Sequence, residues 1–208
     1  YWAGTNALVP PELAVESHQQ ETYQVAEGSV GRVTRVAVSA SWKTVQTLLA
    51  GADGVVTSVV HQPGSAAAPG DVLLTVDLEP VVVAAGAVPM FRALQEGMTG
   101  PDIRQLQELL LTAGFLEGPA DGRFGPITAV ATKRWQRSIG AEPDGIVDAG
   151  ALLFVARLPV RLDVTARIGE HISAGAELVR VLGEQPDIIA LVSASQRAEL
   201  ESGMSISI

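Results

Sequence analysis

The stretches GSAAAPGDVLLTV, Gly64 to Val76, and GEHISAGAELVRV, Gly169 to Val181, are two copies of one motif. Gly64 aligns with Gly169, Gly70 with Gly175, Leu73 with Leu178 and Val76 with Val181, each pair 105 positions apart. Glycines mark tight turns where φ is positive, and the matched valines and leucines mark buried strand faces. Agreement at those positions is the mark of a structural repeat. The two copies read as halves of one small β-sandwich, and the separation between them as an insertion. Residues 51–83 and 157–183 are therefore expected to pair in a single sandwich, with residues 85–155 outside it.

Composition bounds what such a chain can do. Its 208 residues hold one to three small domains. Hydrophobic residues make up 47% and aromatics 4%, so the cores are built from Val, Ala and Leu. A net charge of −9 argues against nucleic acid and against an anionic membrane surface as electrostatic partners. There is no cysteine, which excludes disulfides and thiolate metal sites within these residues. No run approaches the roughly 18 apolar residues of a transmembrane helix. Tyr1 stands where a Met would start a gene product, and GMSISI at the other end reads as mid-strand. A fragment or processed form, with its membrane anchor removed, is the expectation.

Around the repeat the pattern is β-like. Residues 1–20 carry Pro10-Pro11 and read as an extended lead-in. Residues 23–40 alternate and are Val-rich, with a turn near Gly28 or Gly31. Strands follow at 52–60, at LPVRLDV from Leu158, and at DIIALVS from Asp187, and Ser195 to Leu200 suits one helical turn before a final strand. The middle differs: Phe91, Phe115, Phe124, Phe154 and Trp135 all fall within 85–155, marking a separate core. Pro101 suits a first helical turn with Asp102 near the dipole's positive end. Ile103, Leu106, Leu110 and Ala113 then share a face, and Gly114 stops the helix. Pro126 opens a second helix with Ile127, Val130, Ala131 and Trp135 inward, ending by Gly140. Asp148 is expected to cap a short third helix through Leu152 and Leu153. The turns DGRFG (121–125) and DGIVD (144–148) precede helices two and three.

Three of these stretches, GPDIRQLQELLLTAGF from Gly100, DGRFGPITAVATKRWQ from Asp121 and DGIV from Asp144, closely resemble the type 1 peptidoglycan-binding domain. The resemblance covers nearly the whole insert. It implies a compact three-helix module that docks on cell-wall glycopeptide. The flanking motif copies resemble the split lipoyl-like domain of HlyD-like periplasmic adaptors, the membrane fusion family. In that family the halves surround an α-helical hairpin whose tip meets an outer-membrane channel. Here the peptidoglycan-binding module takes the hairpin's place, which puts such a channel in doubt and suits an adaptor projecting into cell wall. The implied fold is mainly β with an all-α insert: a split lipoyl-like β-sandwich plus partial β-barrel, interrupted by three helices. Its parts are a lead-in with barrel-like strands (1–40), the first lipoyl-like half (41–84), the peptidoglycan-binding domain (85–155), the second half (156–183) and further barrel-like strands (184–208).

Catalytic readings find little to stand on. A swinging-arm carrier needs a lysine on a hairpin, and Lys43 and Lys133 lie outside both motif copies. His18, His61 and His171 lack metal-ligand spacing, although His61 and His171 fall near equivalent turns. No serine sits in GxSxG or SxxK. Asp121 and Asp144 each precede a glycine and read as turn-formers that bond their own backbone. Trp135 reads as core with an edge available to a sugar, Trp42 as a packing anchor, and Lys133, Arg134 and Arg137 as a solvated face. The expectation is a non-enzymatic adaptor without cofactor or metal. It would couple an ABC-type export permease to peptidoglycan, form homo-oligomers, and lie outside the membrane facing the wall. A targeting fragment of a cell-wall enzyme, or a structural wall anchor, is the alternative. Glycopeptide contact is expected in a groove formed by Asp121, Gly122, Arg123 and Phe124 on one loop, Trp135 and Gln136 on helix two, and Asp144 and Gly145 on the next loop. There Arg123 would pair with a stem carboxylate.

Overall fold

The computed structural model describes residues 37–193 and Arg197. The strands expected over 23–36 and the segment after Ser193, apart from Arg197, lie outside the described residues. In chain order the elements are β1 (Ala37–Leu49), β2 (Gly54–Val59), β3 (Ala66–Ala67), β4 (Val72–Val76), β5 (Glu79–Ala85), α1 (Pro101–Thr112), α2 (Pro126–Ile139), β6 (Leu152–Val155), β7 (Val160–Val164), β8 (His171–Ile172) and β9 (Glu177–Leu191). One sheet has the order β1-β9-β7-β3 and the other β6-β5-β4-β2-β8.

The two motif copies meet across both sheets. Gly54 pairs with Ile172 and Ala66 with Arg161, so each half supplies strands to the other half's sheet. Between the sheets lies one core that holds Leu73, Leu74 and Val81 from the first half and Leu162, Leu178 and Val181 from the second. Gly70 and Gly175, at equivalent positions of the repeat, have φ of 93° and 86°. Their N–H groups bond Val83 O and Ala50 O, so both turns are tied to a neighbouring segment. A side chain there would strain the backbone, which accounts for glycine in both copies. β1 and β9 run on as a two-stranded ribbon, with Ala37 opposite Leu191, and its outer part leaves Val38, Ile188 and Ile189 exposed.

A second core sits among the helices and contains Leu94, Ile103, Leu106, Leu110, Phe124 and Trp135. It also contains Val82 and Ala84 of β5 and Leu152 and Phe154 of β6. The alternate residues Val81, Val83, Leu153 and Val155 belong to the sandwich core. Successive strand residues point to opposite faces. The parallel pair β5–β6, in register from Val82↔Leu152 to Ala85↔Val155, is thus a wall common to both cores.

The expectation that residues 85–155 lie outside the sandwich fails at β6, which joins the five-stranded sheet and gives Leu153 and Val155 to the sandwich core. Two further expectations are corrected here. The insert has two helices among the described residues rather than three. After Asp148 the chain makes a turn, with Ala151 N–H donating to Asp148 O, and enters β6. Leu152, Leu153, Phe154 and Val155 are all buried. An apolar run without a polar face suits a strand covered on both sides and not an amphipathic helix. The second correction concerns α2. Its buried residues are Thr128, Ala131, Thr132, Trp135 and Gln136, while Ile127 is 72% and Val130 50% exposed. The helix is turned so that Thr128, Thr132 and Gln136 face inward with Ala131 and Trp135, for a reason the loops supply.

Candidate functional site

Each Asp-Gly loop of the insert is held by one buried glutamine. Gln107 Nε2 donates to Asp121 Oδ1 (2.9 Å) and Arg123 O (3.0 Å), and Gln107 Oε1 accepts the Gly122 N–H (2.7 Å). Gln136 repeats the wiring: Nε2 donates to Asp144 Oδ1 (2.9 Å) and Ile146 O (2.8 Å), and Oε1 accepts the Gly145 N–H (2.8 Å). In each loop the aspartate also accepts the N–H two residues on, Arg123 and Ile146 respectively. Both loops are strapped to residues 94–99. Leu94 and Val147 exchange backbone bonds, and Phe124 N–H donates to Met98 O. Phe124 and Val147 fill the core behind.

This wiring explains the turned helix. A buried loop amide left without a partner costs about 1–3 kcal/mol. Gln136 can satisfy its loop only from the inner face of α2, while exposing an isolated aliphatic side chain is common on protein surfaces. Thr128 and Thr132 follow inward, the Thr132 hydroxyl donating to Thr128 O at 2.9 Å.

The sites expected from sequence therefore divide. Phe124, Trp135 and Gln136 are buried, at 1%, 3% and 5% exposure. Gly122 and Gly145 are buried in their loops with positive φ, while Asp121 and Asp144 are exposed but engaged by the glutamines. Arg123 is exposed at the entrance to α2. On α2 itself Ile127, Val130, Arg134 and Arg137 also reach solvent. His61 bonds Ser65 Oγ at 3.0 Å, and His171 sits in β8 opposite Val55. Among the described residues no three potential ligands gather to hold a metal ion. Trp42 lies beneath the guanidinium of Arg161, 4.7 Å from its ring centre.

Two residues escaped the sequence reading. Gln107 stands before Asp121-Gly122 as Gln136 stands before Asp144-Gly145, a pairing visible in the letters once both loops are compared. Arg92 forms a two-pronged ion pair with the buried Asp102, through Nε (2.6 Å) and Nη2 (3.0 Å), and also donates to Thr99 O. It lies ten residues upstream in an irregular segment, without a periodicity to mark it.

These bonds are expected to make the insert acid-sensitive. Hydrogen bonding by Arg92 holds the Asp102 carboxyl below its usual range, outweighing the opposing effect of burial. The Gln107 amide and the Arg123 N–H lower that of Asp121. Both folded values lie below the ordinary 3.8. Their stabilising contribution is thus complete above that pH and is lost as pH falls through the folded values. The melting temperature is expected to hold steady between about pH 7 and 5 and to drop below about 4. In thermal circular dichroism Asp102→Asn should start lower and lose less over the acid range. An acid slope as steep as the parent's would exclude Asp102 as a source.

Comparison with known proteins identifies this arrangement. The family model for the peptidoglycan binding domain matches residues 99–152. Residues 99–152 are a peptidoglycan-binding domain. That span runs from the strap at Thr99 through both glutamine-held loops to the start of β6. Such a domain implies a cell-wall-associated location. Protein disulfide isomerase pTAC5, chloroplastic, of Arabidopsis thaliana is 42% identical over 64 residues, which cover 29% of this chain and 16% of that protein. The chain thus spans about a sixth of that relative's length. With no cysteine, these 208 residues cannot themselves perform thiol–disulfide exchange. No solved structure matches the chain significantly. Among the described residues no helix is long and apolar enough to cross a membrane.

Proposed function

We propose that this protein is a non-enzymatic adaptor outside the cytoplasmic membrane, docked in the cell wall by its helical insert and coupled through its β-domain to an export permease of the ABC type. The observation that carries wall docking is the peptidoglycan-binding domain at 99–152. The adaptor role is supported by the split sandwich, in which that domain occupies the loop between two halves of one core. An assembly of several copies on the permease belongs to the same reading.

The contact surface we favour is the outer side of α2 and the loop leading into it. There Arg123 and Arg134 offer planar, two-pronged donors for the carboxylates of a peptide stem. Ile127 and Val130 lie alongside as apolar area for a sugar face. This keeps Arg123 in the role expected from sequence and moves Trp135 and Gln136 into the supporting scaffold.

The test uses the full 208-residue chain on purified sacculi. Arg123→Ala with Arg134→Ala should weaken retention by about tenfold or more, the scale of one lost charge-assisted bond. Both residues are exposed, so the melting temperature should not move. Retention equal to the parent's would refute the surface, and no retention of the parent would refute docking. Deleting the gene should impair export of a compound while muropeptide composition stays constant. A wall defect with export intact would instead make the protein a structural anchor, and muropeptide cleavage by the purified chain would make it an enzyme.

A further inference from the structure

The helical insert and the β-domain meet along their common wall but leave a cleft of about 650 Å³ to one side of it. Ligand pockets typically fall between about 300 and 1,000 Å³, and often lie between domains. Val76, Pro80 and Val81 line this one from the β-domain, and Ile139, Ile146 and Val147 from the insert. Trp135 also borders it. Gly51 closes one end against the turn before β6; a Cβ on Gly51 would lie 2.2 Å from Ala149 O, so the two backbones touch there.

The charged residues of the cleft are all acidic. Asp53, Asp77 and Glu79 lie on the β-domain side and Glu142, Asp144 and Asp148 on the insert side; no lysine, arginine or histidine lines it. Three of these carboxylates serve the fold: Asp53 accepts the Ala174 N–H, Asp77 the Val55 N–H, and Asp144 is held by Gln136. Glu79, Glu142 and Asp148 are exposed, and among the described residues their carboxylates are outside every hydrogen bond and ion pair. Apolar walls with free carboxylates on facing sides suit a ligand that has both a hydrocarbon chain and a terminal cation. A long-chain primary amine meets both demands, since its methylenes can lie on apolar surface while the ammonium keeps polar partners.

We propose that the cleft binds a short peptide through a free side-chain ammonium, such as a diamino acid in a peptidoglycan stem presents. This rests on the wall-docking reading and adds a second contact, opposite in charge to the arginines outside α2. The inference joins the two modules in one binding act, because each supplies one side of the cleft.

The experiment titrates the full chain with the tripeptide L-Ala-γ-D-Glu-L-Lys and with the same peptide acetylated on the lysine side chain. Binding is read by calorimetry and by the indole N–H resonance of Trp135. The free amine should bind and shift that resonance, and acetylation should weaken binding by about tenfold or more. Glu142→Gln with Asp148→Asn should weaken it similarly at an unchanged melting temperature, and added salt should weaken the parent. Equal binding of the acetylated peptide, or equal binding by the neutralised variant, overturns the proposal. Failure of the tripeptide to bind while sacculi are retained overturns the cleft and leaves wall docking standing. Tripeptide binding without sacculus retention does the opposite, and failure of both overturns both.

Discussion

Gln107→Ala and Gln136→Ala should each lower the folding free energy by about 3 kcal/mol, measured by urea denaturation. Truncation removes an amide that is 2% or 5% exposed and makes three hydrogen bonds to its loop. A glycine N–H and a backbone carbonyl are left facing the hole, and one unsatisfied buried group alone costs about 1–3 kcal/mol. The cavity adds to that cost. Asp121→Asn and Asp144→Asn should cost less, since those side chains reach water. A loss below about 1 kcal/mol for either glutamine would show that the loops hold themselves. The same result bears on binding studies: a Gln136→Ala protein that fails on sacculi would be reporting a collapsed loop.

Val83→Asp is expected to unfold both cores at once. Val83 is fully buried in the sandwich, whereas its neighbours Val82 and Ala84 are fully buried among the helices. An unpaired carboxylate in such a site costs several kcal/mol, about 3–5 by the penalty for breaking a buried pair. Total stability for domains of this kind is about 5–15 kcal/mol. Were the modules independent, Trp135 would keep its folded fluorescence and its indole resonance while the sandwich melted. Because β5 carries both cores, Trp135 should report unfolding with the same midpoint as far-UV circular dichroism. Separate transitions, with the helical one unchanged, would overturn this coupling.

The sequence exposed the β-repeat because glycine at a forced turn and valine on a buried face leave few alternatives. Gly70 and Gly175 are the plainest cases. It also exposed α1 and α2, each opened by proline, and the loops by their Asp-Gly pairs. It placed Ala131 and Trp135 of α2 inward, where they are, but misjudged Ile127 and Val130. Hydrophobicity pointed to Ile127 and Val130, but backbone groups in a distant loop demanded Gln136, and such demands leave no periodic trace. The segment Leu152–Val155 was ambiguous for a different reason: four apolar residues fit a helix end or a buried strand equally, and only the partner β5 decides. As for binding, an Asp-Gly loop has the same letters whether it grips a ligand or is itself gripped. That is why Phe124, Trp135 and the two glycines read as candidate contacts while all four are buried, Phe124 and Trp135 within the helical core as their places in the sequence also suggest.

The two glutamine-held loops differ in one respect. Fourteen positions separate Gln107 from Asp121, but only eight separate Gln136 from Asp144. The same knot is thus tied with two lengths of string. The turn segments between the fastening points can change length at little cost, since doubling a flexible loop adds only about 0.6 kcal/mol of closure entropy. Insertions and deletions among homologues should therefore collect at 113–120 and 140–143, leaving each glutamine and its Asp-Gly pair in place. A search for distant kin would do better to look for two such pairings at variable distance than for one rigid spacing.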